Sequence, residues 1–307
     1  MRIAIMGTGA LGGFFGCRLA AAGLDVTFIA RNRTLAALRA NGIRLDSPTL
    51  GRIAAPEVTA TDDPGTVGTV DLVLFTVKAY QIETAAAQMR PMIGNGTSVV
   101  PLLNGLEVVE RVGAVIGGEP VLGGMSYVAS AMPEPAVIRH FGNDGFTFGE
   151  PSGGGSWRGD RIADTMAKAG IPAELSRDIE RELWTKALMF CGTGGLLALC
   201  RRPFGELRAD PDTRRVFEGA LREVEAVARA KGILFGQDVV AHACRVLDGF
   251  PPEGTSSMLR DVLAGRPLEV ETVNGAVVRQ AHALGVSVPY NEAIYAGLKL
   301  LARGQPA

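Results

Sequence analysis

The chain has 307 residues, of which 47% are hydrophobic and 21% charged, with a formal net charge of −1. That length allows two domains with a core each, and that composition excludes a disordered chain. The near-neutral charge excludes a global field that would gather nucleic acid or an anionic membrane. Cys17, Cys191, Cys200 and Cys244 show no C-x-x-C spacing, and His140, His242 and His282 form no cluster. Reduced thiols, a cytoplasmic setting and no structural metal are therefore expected.

The first 31 residues read as a dinucleotide-binding unit. Arg2 to Met6 is a short buried strand, followed by Gly7-Thr8-Gly9-Ala10-Leu11-Gly12 and an apolar helix to Ala22-Gly23. A second strand, Asp25 to Ile29, ends at Ala30-Arg31. Gly7 permits the tight turn, Gly9 lets backbone approach a pyrophosphate, and Gly12 lets helix and strand pack closely. The helix N-terminus offers unpaired N–H groups to the phosphates. An NAD site usually places Asp or Glu after the second strand. Here Arg31, Asn32 and Arg33 follow it, and an Arg suits the 2′-phosphate of NADP. Arg31 as a plain solvated cation is the alternative, and Arg33 reads as solvated. The same stretch superficially resembles a signal peptide, but five glycines between Gly7 and Gly16 interrupt it. No apolar run reaches the roughly 18 residues that span a bilayer.

Strands and helices then alternate. Asp71 to Val77 is a strand buried on both faces, Gln81 to Met89 a helix ended by Pro91, Thr97 to Leu103 a strand, and Glu107 to Ile116 a helix. The pattern predicts an α/β fold with a Rossmann-type doubly wound sheet. Val121 to Tyr127, Val137 to Phe141 and Gly145 to Phe148 read as antiparallel additions to that sheet, and Trp157 to Ala169 as a helix closed by Gly170. From about residue 177 the chain reads as an all-helical C-terminal domain, so the map is 1–176 and 177–307. Asp178 caps its first long helix, with Glu180 and Glu182 in the first turn. Asp210-Pro211 opens a helix whose stripe is Phe217, Ala220, Leu221, Val224, Val227 and Ala228, stopped at Lys231-Gly232. Such stripes serve a core or a homodimer interface, and core is preferred. Ser256-Ser257 starts a short helix, and the last pair runs from about Leu268 to Leu284 and from Asn291 to Ala302. Ligands of doubly wound sheets bind at the carboxyl ends of the strands, so the helical domain is expected to close over that edge.

Several polar residues stand where they could meet a cofactor, and each has a plainer reading. Lys78 and Asn104 each follow a strand. The first is otherwise a solvated helix-entry lysine and the second an Asn-Gly turn. Lys186 has Leu183, Met189 and Phe190 as helical neighbours, a setting that lowers a lysine pKa toward proton transfer; alternatively it pairs with Glu182 at i−4. Glu269 opens a helix continued by Val270, Val273 and Val277, where the dipole alone would suit it. Ser257 reads as a helix cap.

In combination and order these motifs resemble the ketopantoate reductase family, over nearly the whole chain. They are Gly7 to Gly12, Thr76-Val77-Lys78-Ala79, Asn104-Gly105, Glu182 to Lys186, Gly205-Glu206-Leu207-Arg208, Ser256 to Asp261, and Glu269 to Gly275. The resemblance implies reduction of a 2-oxo acid by NADPH, with 2-dehydropantoate to pantoate as the family reaction. It implies Lys186 as general acid and Glu269 as the acidic residue beside the nicotinamide. It places Asn104 on cofactor and substrate, Arg31 and Lys78 near the adenosine phosphate, and Ser257 on the substrate carboxylate. Ser130 falls at a cofactor-contacting position, in a register uncertain by one residue. The departures are Phe190, Gly194, Phe204 and Gly254, where the family's ketopantoate reductases carry asparagines. They predict a more apolar pocket and open the reading of a different 2-oxo acid. A rival of another class is an NADPH-sensing regulator, against which Lys186 and Glu269 speak.

Overall fold

The computed structural model describes residues 1–236 and 238–304. The chain divides into two units, one of Met1–Leu103 with Val108–Ile179 and one of Asn104–Glu107 with Glu180 onward.

In the first unit, β1 (Arg2–Met6), α1 (Ala10–Ala21) and β2 (Asp25–Ile29) follow the expected strand–turn–helix–strand course. Then come α2 (Asn32–Asn41), β3 (Ile43–Ser47), β4 (Gly51–Ala55), β5 (Thr59–Thr61), β6 (Leu72–Phe75), α3 (Ile82–Met89), β7 (Ser98–Pro101) and α4 (Val108–Ile116). The unit closes with β8 (Gly123–Ser126), β9 (Ala129–Glu134), β10 (Val137–Gly142), β11 (Phe146–Gly149), α5 (Trp157–Lys168) and β12 (Ala173–Leu175). The central sheet has the order β5-β2-β1-β6-β7 and is parallel throughout. Met6 pairs with both Ile29 and Phe75, so the carboxyl ends of β1, β2 and β6 share one edge. The strand order reverses at β1, which makes that edge the ligand-binding crevice of such sheets.

The strands after residue 121 correct the sequence reading. They do not add antiparallel strands to the central sheet. β8, β11 and β12 form their own sheet, touching β7 through a parallel bridge between Val99 and Val121. β9 and β10 instead join β3 and β4 in a four-stranded sheet packed on α1. A Cβ on Gly13 of α1 would lie 2.5 Å from Ile138 of β10, so only a bare helix face admits this second sheet.

The second unit is helical, as expected. α6 (Ile179–Phe190) runs through a π turn at Cys191–Gly195 into α7 (Leu196–Cys200). α8 (Phe204–Ala209), α9 (Pro211–Ala230), α10 (Val239–Asp248), α11 (Ser257–Leu263), α12 (Asn274–Leu284) and α13 (Pro289–Lys299) follow. Asp210 caps α9, accepting from the amides of Asp212 and Thr213, and the α9 stripe from Phe217 to Ala228 is fully buried in the core. The continuous helix Ile179–Cys200 overturns the expectation about membrane-length segments. By length and composition alone it could cross a bilayer, although 67% of its apolar window is buried within the fold. Two helix starts also differ from the sequence reading. α12 begins at Asn274, after an irregular turn, rather than near Leu268, and α13 begins at Pro289.

Candidate active site

The dinucleotide turn has the mechanics its glycines require. Gly7 has φ +100°, closed to side chains, and a Cβ there would meet Val77 at 2.7 Å. An added Cβ on Gly12 would collide with the Gly7 carbonyl and with Thr76 Oγ1. At Gly9 a Cβ would meet nothing within 4 Å. α1 has no side-chain cap and no acid in its first turn, so its first amides, at Ala10 and Leu11, face no competing side-chain acceptor from that turn. An uncapped helix N-terminus with bare backbone in front of it suits a pyrophosphate. Thr8 has another task. Its amide and its hydroxyl both donate to the Ile29 carbonyl, each at 3.1 Å, tying the turn to β2.

The two candidate phosphate-binding cations of the same unit, Arg31 and Lys78, are exposed. Arg31 immediately precedes α2 and donates to Gln88 Oε1 of α3. Lys78 lies three residues beyond β6, and its amide donates to Gln81 Oε1 at 3.4 Å. Arg31 follows β2 and Lys78 follows β6, at the edge where their parallel neighbour β1 enters the glycine turn. Ser130 does not share that sheet. It sits on β9, paired with His140.

The second unit gathers a different set. Lys186 is only 4% exposed. Burial pushes its ammonium down from 10.5 to about 8, and Glu269 acts in the opposite direction through its charge. The Lys186 Nζ lies 5.1 Å from the centre of the Phe190 ring, one helical turn on. The reading of Lys186 as a surface partner of Glu182 falls, because Lys186 is buried and Glu182 pairs with Arg181 at 3.6 Å. Glu269 does not open a helix, as the sequence reading had it. It lies in the irregular segment before α12, where its carbonyl accepts the amide and hydroxyl of Thr272 at 3.2 and 3.1 Å.

Asn104 comes to the same place by a route invisible in the sequence. Residues Asn104–Glu107 belong to the helical unit although they follow β7. Gly105, at φ +124°, leaves room for Thr272, whose atoms would stand 2.5 Å from any Cβ. The Leu106 amide donates to the Thr272 carbonyl at 3.2 Å, and Glu107 pairs with Arg279 at 2.6 Å. Thr272, Arg279 and Glu107 were not singled out from sequence. Their only signal is proximity to motif residues.

Ser257 is freed from the capping role assigned to it. Ser256 is the cap, accepting from the Leu259 amide at 3.0 Å. Ser256 Oγ also reaches the Gly194 carbonyl at 3.4 Å, so the α11 start lies against the π turn. Phe204 and Gly254 are neighbours, with the Phe204 amide donating to the Gly254 carbonyl at 3.0 Å and the Phe204 ring 4.7 Å from that of Phe250. The helical unit therefore combines a buried, low-pKa amine, a carboxylate acting on it, an asparagine loop and aromatic side chains. A lysine with a pKa near 8 is charged at neutral pH and readily gives up its proton.

Comparisons with known proteins identify the family of the chain. The ketopantoate reductase PanE/ApbA family model matches residues 3–153, and the model of its C-terminal part matches residues 178–302. A 2-dehydropantoate 2-reductase of Mesorhizobium japonicum is 31% identical over 98% of each chain. An uncharacterized oxidoreductase, YkpB of Bacillus subtilis, is 29% identical, also over 98% of each. The crystal structure of a PanE/ApbA family ketopantoate reductase from Ralstonia eutropha is similar at a TM-score of 0.90 and 32% identity, covering 98% of both chains. This chain belongs to the ketopantoate reductase family, and is a nicotinamide-dependent oxidoreductase of the kind that reduces 2-oxo acids.

Proposed function

We propose that the protein reduces 2-dehydropantoate to pantoate with NADPH. When bound, the reduced nicotinamide supplies the hydride that attacks the 2-keto carbon. The Gly7–Gly12 turn holds the pyrophosphate, and Arg31 and Lys78 take the adenosine phosphate. Support for NADPH over NADH comes from Arg31, which stands where an NAD site carries an acid. Ser257 holds the substrate carboxylate and Asn104 the carbonyl side. Lys186, as ammonium, stabilises the negative charge on the keto oxygen and delivers its Nζ proton there. Glu269 keeps the amine charged and aligned. The buried Lys186 beside Glu269 is the observation that carries this reading.

A second reading shares every step but the substrate. Phe190 stands beside the reactive amine and Phe204 beside Phe250, which favours a more apolar 2-oxo acid. A panel of ketopantoate and apolar 2-oxo acids, followed by cofactor absorbance with NADPH and NADH, tests both. Ketopantoate with the highest kcat/KM supports the first reading, and an apolar acid the second. No oxidation with any 2-oxo acid would refute the reductase.

A further inference from the structure

The helix that carries Lys186 loses its regular ladder one turn later, in the π turn Cys191–Gly195. Such turns are uncommon and concentrate at functional sites. A buried side chain from outside the helix holds this one. Asn274 Nδ2 donates to the Cys191 carbonyl at 3.1 Å and to Asn291 Oδ1 at 3.1 Å. Asn291 Nδ2 passes the chain on to the Ala220 carbonyl at 3.0 Å and to Glu223 Oε2 at 2.8 Å. Asn274 and Asn291 are both 0% exposed.

The fit is tight and locally unfavourable. A Cβ on Gly195 would stand 2.5 Å from Asn274 Oδ1, so the carboxamide lies flat on the π turn only because residue 195 is glycine. Asn274 Oδ1 is itself buried without a hydrogen-bond donor. A buried acceptor left unsatisfied is costly, and its retention calls for a reason. The position of Asn274 supplies one. It is the first residue of α12, directly after the turn that carries Glu269. The Gly275 amide closes that turn on the Val270 carbonyl at 2.9 Å.

We propose that Asn274 is a positioning residue for Lys186, locking the π turn of the lysine's helix to the turn that carries Glu269. The proposal rests on Lys186 acting as the acid. Asn274 touches neither reacting group; it acts through the spacing of the amine and the carboxylate. The charge that bears on Lys186 is that of Glu269. Glu182 on the same helix is engaged with Arg181, and Glu223 on α9 is directed at the first amides of α13 and at Asn291. Loosening the lock weakens the effect of Glu269, which otherwise raises the lysine pKa.

The test compares Asn274→Ala, Gly195→Ala and the double variant in the full-length enzyme, measuring kcat, KM and the pH profile. Gly195→Ala improves intrinsic helix propensity, so its damage comes from the Cβ meeting the Asn274 carboxamide at 2.5 Å and Ile294 Cγ2 at 2.7 Å. It carries the test if Asn274→Ala does not fold, with Ile294→Ala in the same background removing the Ile294 share. Each single variant is expected to lower kcat about tenfold to a hundredfold, the scale of a small misplacement remote from the chemistry. The basic limb of the profile should move to lower pH while the KM for the dinucleotide stays put. In the double variant the losses should be less than additive, because truncating the Asn274 carboxamide removes the nearer of the two contacts the new methyl group would make, leaving that with Ile294. Single variants whose pH profiles match wild type, with only thermal stability reduced, would overturn the proposal. An inactive wild-type enzyme would instead count against the reductase reading on which the proposal rests.

Discussion

Lys186 shows how one residue serves function at the expense of stability. A pKa lowered from 10.5 to about 8 corresponds to about 3 kcal/mol of disfavour for the charged form. The unfolded chain keeps its proton up to about pH 10.5, the folded chain only to about pH 8. The stability this group withholds at neutral pH is therefore regained as pH rises from about 8 to about 10.5. Activity has the opposite dependence. The acid must be protonated, so kcat/KM for reduction should be flat below about pH 8 and fall above it. A pH–rate profile checks this, and a basic limb near 10.5 would mean an exposed amine. A calorimetric scan of Lys186→Met at about pH 7 should show a melting temperature no lower than wild type, since burial disfavours the ammonium more than Glu269 favours it. A clear drop would mean that the pairing with Glu269 outweighs burial. Arg31→Ala should narrow the preference for NADPH over NADH, read as a ratio of catalytic efficiencies. An unchanged ratio would reduce Arg31 to its hydrogen bond with Gln88.

At the scale of elements, the glycine turn separates folding from binding. Gly12→Ala drives a methyl group into the Gly7 carbonyl and Thr76, and should lower stability by about 1–3 kcal/mol in a denaturant titration. Gly9→Ala meets nothing, so the same titration should give a midpoint near wild type while the dinucleotide Kd rises. Equal stability of the two variants would contradict this division. The turn was legible because glycine spacing has mechanical causes that act locally. The same cannot be said of β9, whose sequence Ala-Ser-Ala-Met-Pro-Glu has little strand propensity and is held by pairing with β10. In the π turn, Cys-Gly-Thr-Gly-Gly carries three glycines, which weaken a helix locally. Tertiary packing holds it, with Leu221 and Phe217 against Gly192 and Asn274 and Ile294 against Gly195. The adjacent pair Ser256-Ser257 offered two caps, and only geometry shows that Ser256 takes the role. Glu269 was read as helical because Val270, Val273 and Val277 fit a helical period; they are buried on either side of a turn instead.

For the whole molecule, the division of labour follows the division of the chain. The glycine turn, Arg31 and Lys78 belong to one unit; Lys186, Glu269 and Ser257 belong to the other, and so does Asn104, although it lies between two elements of the first. The alternation of strands and helices made the first unit readable, and the apolar stripe of α9 the second. The membership of Asn104 was not readable, because it depends on Gly105 admitting Thr272. The same division lets cofactor binding and chemistry be tested apart. The decisive measurement is single-turnover reduction by Lys186→Met at saturating NADPH, with NADPH affinity measured alongside. The account requires at least a roughly hundredfold slower turnover with affinity unchanged. Turnover near wild type in a variant that binds NADPH normally would contradict it.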